Sequence, residues 1–251
     1  MKTINTFSTL MIFLALAACK KNNETTEAPV ASVNIINASI DVGPLKVNPS
    51  AKAISWNTIT DQINYGTGRF YYAQTGDATF KVVATADTTK LLVNTKANLT
   101  GKLYTLFIFG NSTATESILR EETDFIYRRL DLPKAALADS VTNVRFVNLS
   151  SNSPALRVNI KDNTANEVTN LAYKNISSWK AYKNEKSTGT DYIFEIRDSA
   201  TGTLITTYTF RGTTTATAAA NLFKSVSLII RGVYGTTSGA NAFGVSSVNH
   251  F

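Results

Sequence analysis

The chain has 251 residues, of which 43% are hydrophobic and 17% charged, and its formal net charge at pH 7 is +7. This composition excludes a disordered protein, and the length suffices for one large domain or two domains of about a hundred residues each. The only cysteine, Cys19, excludes an intramolecular disulfide. Thirteen Phe and ten Tyr, with abundant Thr and Val, favour β-strands, because aromatic and branched side chains pack well on a pleated surface.

The first segment has the features of a bacterial lipoprotein signal. A short basic start precedes an apolar run at residues 7–18, which is shorter than the roughly 20 residues needed to span a bilayer. The run ends in the letters LAAC at Cys19, which resemble a lipobox. The sequence therefore predicts a signal peptide at residues 1–18 and lipidation of Cys19. An ordinary secretory signal with an incidental cysteine is the alternative.

Cleavage before Cys19 would make this residue the first of the mature chain. Acyl chains enter a membrane with a gain of about 0.8 kcal/mol per methylene group, so a triacylated cysteine is a firm anchor. No Asp follows Cys19 directly, so retention in the inner membrane is not indicated. We expect residues 19–30 to form a lipidated tether and the protein to be an outer-membrane lipoprotein on either the periplasmic or the cell-surface face.

A sixteen-residue stretch occurs twice with the same spacing. Residues 33–48 and 144–159 align without a gap and are identical at six of the sixteen positions. Near the end of both stretches, apolar residues alternate with polar ones, and a period of two predicts a half-buried strand. The repeat therefore predicts two copies of one β domain.

Each copy continues with a predicted hairpin and one strongly apolar strand. The hairpins fall at residues 80–93 and 194–206, and the apolar strands at residues 103–110 and 226–232. A lone hairpin is not stable, so one sheet must pack on another. The expected fold class is all-β, with two tandem immunoglobulin-like or transthyretin-like antiparallel β-sandwiches.

The two copies are expected to differ in charge. We place copy 1 at residues 31–127, a linker at residues 128–140 and copy 2 at residues 141–251, with a longer loop at residues 213–221. Copy 1 has eight Lys and Arg against eight Asp and Glu, whereas copy 2 has eleven against six. Copy 2 therefore carries five of the seven net positive charges.

The letters NAS and LKV at residues 37–39 and 45–47, and SPALRV at residues 153–158, resemble the signature of the domain-of-unknown-function (DUF) 4397 family. The resemblance covers nearly the whole mature chain. That family is common in lipoproteins of Bacteroidota, often as tandem copies behind a lipobox. It implies a surface-associated β-sandwich lipoprotein without assigned catalytic residues. The second copy departs from the pattern, with Leu149 where the first has Ala38.

The sequence offers little catalytic chemistry. The only histidine, His250, is one residue from the C-terminus, where a packed or solvated strand end is expected, although a Ser-His-Asp triad would have to use it. The one acidic cluster, Glu121-Glu122-Thr123-Asp124, is expected to be a solvated strand edge or linker. The alternative for that cluster is the carboxylate pair of a glycoside hydrolase. We expect no enzyme activity, no cofactor and no metal.

Basic and aromatic residues alternate in one segment of the second copy. Trp179, Lys180, Tyr182 and Lys183 lie within residues 173–186. Aromatic faces could stack on sugar rings while the ammonium groups contact carboxylates or phosphates, so these four are the candidate ligand-binding residues. The alternative is an amphipathic strand with Trp179 inward and the lysines in water.

The sequence also predicts two O-glycosylation sites and one buried tryptophan. Ser140 and Ser199 follow Asp and precede a small or apolar residue, which resembles the O-glycosylation sequon of exported Bacteroidota proteins. Trp56 follows an apolar-polar alternation and is expected in the core of copy 1.

Taken together, these patterns predict a non-enzymatic outer-membrane lipoprotein that acts as a binding or scaffold module for glycans or envelope partners. The first alternative is an adhesive or structural surface protein of fimbrial or surface-layer type, pairing through sheet edges. The second, more distant, is an envelope hydrolase. The expected partners are the membrane, through the lipid on Cys19, and a glycan or envelope protein; nucleic acid is not expected.

Overall fold

The computed structural model describes residues 29–122, 141–183, 191–210 and 224–250. Within these ranges the chain is almost entirely β-strand, without an α-helix, and the strands form four sheets. This confirms the all-β prediction. The strands are β1 (Val30–Ser39), β2 (Leu45–Asn48), β3 (Gly68–Gln74), β4 (Gly76–Ala84), β5 (Leu91–Leu99), β6 (Leu103–Gly110), β7 (Thr115–Glu121), β8 (Val141–Asn148), β9 (Leu156–Ile160), β10 (Asn166–Leu171), β11 (Lys180–Lys183), β12 (Tyr192–Asp198), β13 (Leu204–Phe210), β14 (Ser225–Arg231) and β15 (Gly244–Asn249).

The first half of the chain, residues 29–122, contains two sheets. One has the strand order β3-β1-β6-β7 and the other the order β2-β4-β5. Their inward side chains form one buried core, which includes Val33 and Ile35 of β1, Val47 of β2 and Phe80 of β4. Two sheets that face each other in this way bury the apolar side of both.

The second half, the described residues from 141 to 250, has equivalent sheets. Their orders are β11-β8-β14-β15 and β10-β9-β12-β13. The core between them includes Phe146, Val158, Phe194 and Phe210. Apart from β10, each strand has a counterpart in the first half, and the repeated stretch supplies β1 and β2 in one half and β8 and β9 in the other.

The predicted hairpins and apolar strands are present. β4 pairs with β5 and β12 with β13, both antiparallel, and β6 and β14 occupy inner positions of their sheets. Two pairs depart from the antiparallel arrangement expected of the sandwiches, because β1 pairs with β6 and β8 with β14 in parallel. The chain between each parallel pair passes through the opposite sheet, which provides the long crossover that parallel pairing requires.

The strand pairing of the described residues separates the two halves. β1 to β7 pair only among themselves, as do β8 to β15. β8 begins at Val141, where copy 2 is expected, and β1 begins at Val30, at the end of the expected tether. Residues 128–140, the predicted linker, are not among the described residues, so the tandem domain boundaries stay a prediction.

The outer faces of two sheets meet between the halves. Side chains of β1 and β6 that point away from the first core pack against their counterparts on β8 and β14. Phe109 also meets Tyr173 edge to face, with ring centroids 5.8 Å apart. This junction cluster consists of Ile36, Ala38, Phe107, Phe109, Val147, Leu149, Ile229 and Val248.

Asn37 and Asn148, one of the two pairs of identical asparagines in the repeat, fix the ends of β1 and β8. The amide nitrogen of Asn37 donates to the carbonyl of Ile63 at 3.1 Å, and that of Asn148 donates to the carbonyl of Leu171 at 3.0 Å. Each amide oxygen accepts the backbone N–H two residues further on. Both side chains are buried, and buried polar groups require such partners. The repeated Asn is therefore a structural device.

Trp56 is not in the core, contrary to the prediction. It begins a 3-10 turn, Trp56–Thr58, that has no buried residue, and its carbonyl accepts from Lys46 Nζ at 3.0 Å. The predictions for the signal peptide, Cys19 and the loop at residues 213–221 concern parts of the chain that the structure does not describe.

Candidate functional site

A cleft of about 830 Å³ opens where β7 of the first half meets β8, β10 and β11 of the second. Apolar side chains such as Ile118, Val168 and Ile176 form part of its wall. Pockets of 300–1,000 Å³ with a few polar groups are typical ligand sites. The charged and aromatic lining residues are Arg120, Phe146, Glu167, Lys174, Trp179, Lys180 and Tyr182.

A β-bulge precedes β11 and carries Trp179. Ile176 bridges Val147 and Lys180 pairs with Val144, so four steps along this segment oppose three along β8. In the first half, the equivalent strand β3 runs against β1 without an extra residue. Bulges redirect side chains and are common beside functional sites. The position of Trp179 therefore depends on a feature that distinguishes the second half from the first.

Trp179 is held by two neighbours from its own half. The guanidinium carbon of Arg145 lies 4.3 Å from the centroid of the indole, and the His250 ring meets it edge to face at 5.5 Å. Trp179 is half-buried and lines the cleft. A guanidinium group on an indole face contributes about 0.5–2 kcal/mol, so this contact orients the ring.

Glu167 of β10 binds two residues of β11. Lys180 Nζ and the hydroxyl of Tyr182 each lie 2.6 Å from its carboxylate. The ring of Tyr182 is only 4% exposed and packs on Phe194 at 5.3 Å. Burial, and then the hydrogen bond to Glu167, raises the pKa of Tyr182 above its usual value. Tyr182 therefore positions Glu167 and presents no ring face for a ligand to stack on.

Glu116 of β7 binds two residues of the loop after β10, across the junction. Lys174 Nζ lies 2.5 Å and the hydroxyl of Tyr173 3.1 Å from its carboxylate oxygens. The hydrogen bond from Lys174 is the main cause that lowers the pKa of Glu116. Lys174 has a left-handed backbone, with φ +70°, which is uncommon for a residue with a Cβ. This loop is thus fixed to the first half at one rim of the cleft.

A buried ion pair joins the two halves behind Trp179. Arg145 of β8 donates to both carboxylate oxygens of Glu122, at 2.8 and 2.7 Å, and the two side chains are 0% and 2% exposed. Burial lowers the pKa of Arg145, and the hydrogen bond that it donates to Glu122 opposes that change. The prediction that Glu122 belongs to a solvated edge or linker is therefore wrong. Its carboxylate is buried because the second half covers it.

The hydroxyl groups of Ser227 and Thr105 and the imidazole of His250 complete this network. Arg145 Nε donates to Ser227 Oγ at 2.8 Å, and Ser227 Oγ lies 2.7 Å from His250 Nε2. His250 Nδ1 lies 3.3 Å from Thr105 Oγ1, which donates to Glu122 at 2.5 Å. Of the two alternatives expected for His250, a packed or a solvated strand end, the structure shows the packed one, since His250 is 1% exposed.

The carboxylate of Glu122 and the guanidinium of Arg145 orient the two hydroxyl groups of this network. The carboxylate of Glu122 can only accept, so the Thr105 hydroxyl gives it the proton and accepts from His250 Nδ1–H. Arg145 Nε can only donate, so the Ser227 hydroxyl accepts there and keeps its own proton to donate to His250 Nε2. Burial, and then the charge of Arg145, holds the pKa of His250 well below the usual 6.5, which favours the neutral ring with its proton on Nδ1.

The Ser227–His250 contact resembles the nucleophile and base of a hydrolase in geometry alone. Ser227 is 0% exposed, so no substrate carbonyl reaches its hydroxyl. Catalysis by this pair would require a substrate within about 3 Å of the nucleophile. The network is a structural contact between the halves.

The network also follows from the repeat. Asn34 and Arg145 are equivalent positions of the repeated stretch. Thr105 lies opposite Asn34 in the β1–β6 pair, and Ser227 lies opposite Arg145 in the β8–β14 pair. The halves therefore meet through equivalent surfaces, and the charged pair arises because one copy has Arg where the other has Asn.

Of the four predicted ligand-binding residues, the structure brings three to the cleft. Trp179, Lys180 and Tyr182 line it, whereas Lys183 is exposed at the far end of β11 and does not. Ser199 is half-buried in the turn of the β12–β13 hairpin, and its glycosylation stays a prediction. Ser140 is in an interval that the structure leaves undescribed.

Sequence reasoning missed Arg120 and Arg145, and it did not select Lys174 from the basic and aromatic segment at residues 173–186. Arg120 belongs to the first half, and nothing in the sequence indicates that β7 borders a cleft formed by the second. Arg145 had one signal: it replaces the Asn of the repeat at a position that alternates with buried residues.

The described residues contain no cluster of three or more His, Cys, Asp or Glu side chains that could hold a metal ion. In the same part of the chain, no helix is long and apolar enough to cross a membrane. No known protein-family model matches the chain, and no curated protein shows significant sequence similarity to it. The resemblance to the DUF 4397 family thus stays a prediction.

Proposed function

We propose that this protein is a non-enzymatic outer-membrane lipoprotein that binds a glycan in the cleft between its two halves. The observation that supports this function is the lining of that cleft, where one indole is combined with several cationic groups. Glycan sites use aromatic surface together with a few well-placed polar groups. Two tandem β-sandwich copies of the DUF 4397 type would serve as the scaffold.

The difference between the halves supports this location. The bulge that carries Trp179 lies between β10 and β11, and so does Lys174, a residue with a Cβ at the left-handed position that Gly66 occupies in the first half. Uncommon backbone conformations concentrate at functional sites, where the surrounding structure over-determines them. The repeat supplies the scaffold, and the segment that departs from it supplies the site.

A glycan-array screen of residues 20–251 tests the proposal. We expect binding to at least one glycan class, and we expect Trp179→Ala to abolish it because the variant removes the aromatic wall. Trp56→Ala is the matched control, since Trp56 lies in the 3-10 turn of the first half. A folded protein without any glycan ligand would contradict the proposal.

The membrane anchor is tested separately by metabolic labelling with palmitate. The native chain should become labelled, and Cys19→Ser should not, because the sequence has no other thiol. Label that persists in the variant would contradict lipidation at Cys19.

One observation favours the adhesive alternative. β3 is an edge strand of its sheet, and on it Tyr72 is 73% exposed. Uncovered edges can pair with strands of other chains. Polymers on native gels that disappear in a Tyr72→Lys variant would favour the adhesive function over glycan binding.

A further inference from the structure

We infer that the cleft selects an acidic saccharide and that Arg120 binds its carboxylate. The inference rests on the proposed glycan-binding function and specifies the ligand class of that site. It follows from the distribution of charges around the cleft.

Two of the three lysine and arginine side chains in the lining already have a carboxylate partner. Lys174 is paired with Glu116 and Lys180 with Glu167. Arg120 is the third, and within the described residues it forms no ion pair. Among the described residues, the lining therefore has one guanidinium group whose charge no neighbouring carboxylate balances.

Arg120 faces the second half. In the β6–β7 pair it lies opposite Thr105, and directly opposite residues of an antiparallel pair share a face. Thr105 contacts His250 on that face. Arg120 therefore lies on the same side of its sheet as the buried network and borders the cleft.

On the face of the sheet that carries Arg120, the nearest carboxylate along the chain is that of Glu122, just after β7, and it is not available to Arg120. Glu122 is engaged by Arg145 through two hydrogen bonds. Burial is the main cause that lowers the pKa of Arg145, and the charge of Arg120 lowers it further, so the two guanidinium groups repel. An anionic ligand group at Arg120 would reduce this repulsion, and guanidinium groups bind carboxylates through paired hydrogen bonds.

The neighbouring groups favour a sugar as the carrier of that carboxylate. Trp179 supplies aromatic surface in the same cleft, while Asn170, Asn175 and Ser178 supply polar groups for hydroxyls. A uronic acid combines a ring that can pack on an indole with a carboxylate on its edge.

The test measures binding of oligomers of galacturonate, glucuronate and mannuronate, each compared with its methyl ester. The protein is residues 20–251 with Trp56→Phe, so that Trp179 is the only fluorescent tryptophan and reports on the cleft. We expect at least one acid to bind tenfold or more tightly than its ester, with a preference that weakens as NaCl rises because salt screens the contact. Arg120→Gln should remove the preference.

Arg69→Gln is the matched control. Arg69 is a half-exposed arginine on β3, paired with Asp61 at 2.7 Å and outside the cleft, so its replacement should leave the preference intact. Equal binding of acid and ester, or a preference that survives Arg120→Gln, would overturn the inference while leaving glycan binding in place. Failure to bind any of the acids or esters would overturn the inference, and the array would then show whether the proposed function also fails.

Discussion

At the scale of single residues, Arg145 and Glu122 determine how the halves are joined. Both are buried, and each is the only charged partner of the other among the described residues. Removal of one member of a buried pair leaves an unpaired charge, at a cost of about 3–5 kcal/mol, whereas replacing both by apolar groups is often nearly neutral.

We therefore expect Glu122→Leu and Arg145→Met each to lower the free energy of unfolding by about 3–5 kcal/mol. The double variant should lose less than the sum. Urea denaturation of the four proteins measures the coupling. Arg69→Met, which breaks an exposed pair, is the control and should cost no more than about 1 kcal/mol. If breaking the Arg145–Glu122 pair costs no more than breaking the exposed Arg69–Asp61 pair, the expected cost of leaving a buried charge unpaired is contradicted.

His250 makes stability depend on pH. Its pKa is depressed by burial in the folded state and is about 6.5 in the unfolded state. Below pH 6.5 the unfolded chain therefore binds a proton that the folded chain excludes, and stability falls as the pH falls. Between pH 7.5 and 5.5 we expect this loss to be on the order of 1 kcal/mol.

The measurement is urea denaturation at both pH values. Because His250 is the only histidine, His250→Asn should abolish most of the difference between them. A slope that remains in the variant would show that another group titrates in this range.

At the scale of elements, the turn that leads into β3 depends on a glycine. Gly66 has φ +78°, and a Cβ there would lie 2.6 Å from Ser246 Oγ and 2.9 Å from Arg231 Nε, both in the second half. Lys174 occupies the corresponding position of the second half. The backbone N–H of Gly66 donates to the backbone carbonyl of Asn37, and that of Lys174 donates to the backbone carbonyl of Asn148. Both turns thus have the same left-handed backbone.

Gly66→Ala should destabilise the protein by more than the strain of a left-handed residue alone, which is about 1–2 kcal/mol. Gly43→Ala is the matched control, because Gly43 has φ +76° but nothing within 4 Å of its added Cβ. We expect Gly66→Ala to cost about 1–3 kcal/mol more than Gly43→Ala in urea denaturation, as overpacking does. Equal costs would indicate that Ser246 and Arg231 move aside freely.

Several strands could be predicted from the sequence. Period-two alternation predicted β2 and β9, and the continuous apolar runs predicted β6 and β14, because local side-chain order reports which face of a strand is apolar. The bulge before β11 could not be predicted. It depends on pairing with β8, about thirty residues earlier in the chain, and no local pattern records that register.

At the scale of the whole molecule, the junction cluster and the buried pair should make the halves unfold together. The residues of the junction cluster are at most 6% exposed, so separating the halves would expose an apolar surface like that of a core. Trp56 lies in the first half and Trp179 in the second, which allows each to be followed alone in Trp179→Phe and Trp56→Phe variants.

In each variant we expect the fluorescence transition in urea to coincide with the loss of strand signal by far-ultraviolet circular dichroism. Two separate midpoints would mean that the junction is too weak to couple the halves. The double replacement of Glu122 and Arg145 by apolar residues should retain the coincidence, because the apolar cluster remains.

Local patterns were enough to predict the all-β class, the hairpins and the inward faces of the repeated strands, since alternation along a strand is a local property. What covers the outward faces of these strands depends on tertiary packing. Asn34, Arg145 and Glu122 have the pattern of solvent-facing residues, yet they are buried because the outer sheets of the two halves pack together. The cleft is formed at the edge of that contact, by Arg120 from one half and Trp179 from the other. Alternation shows which way a side chain points, but only packing of distant segments determines whether water or another sheet lies there.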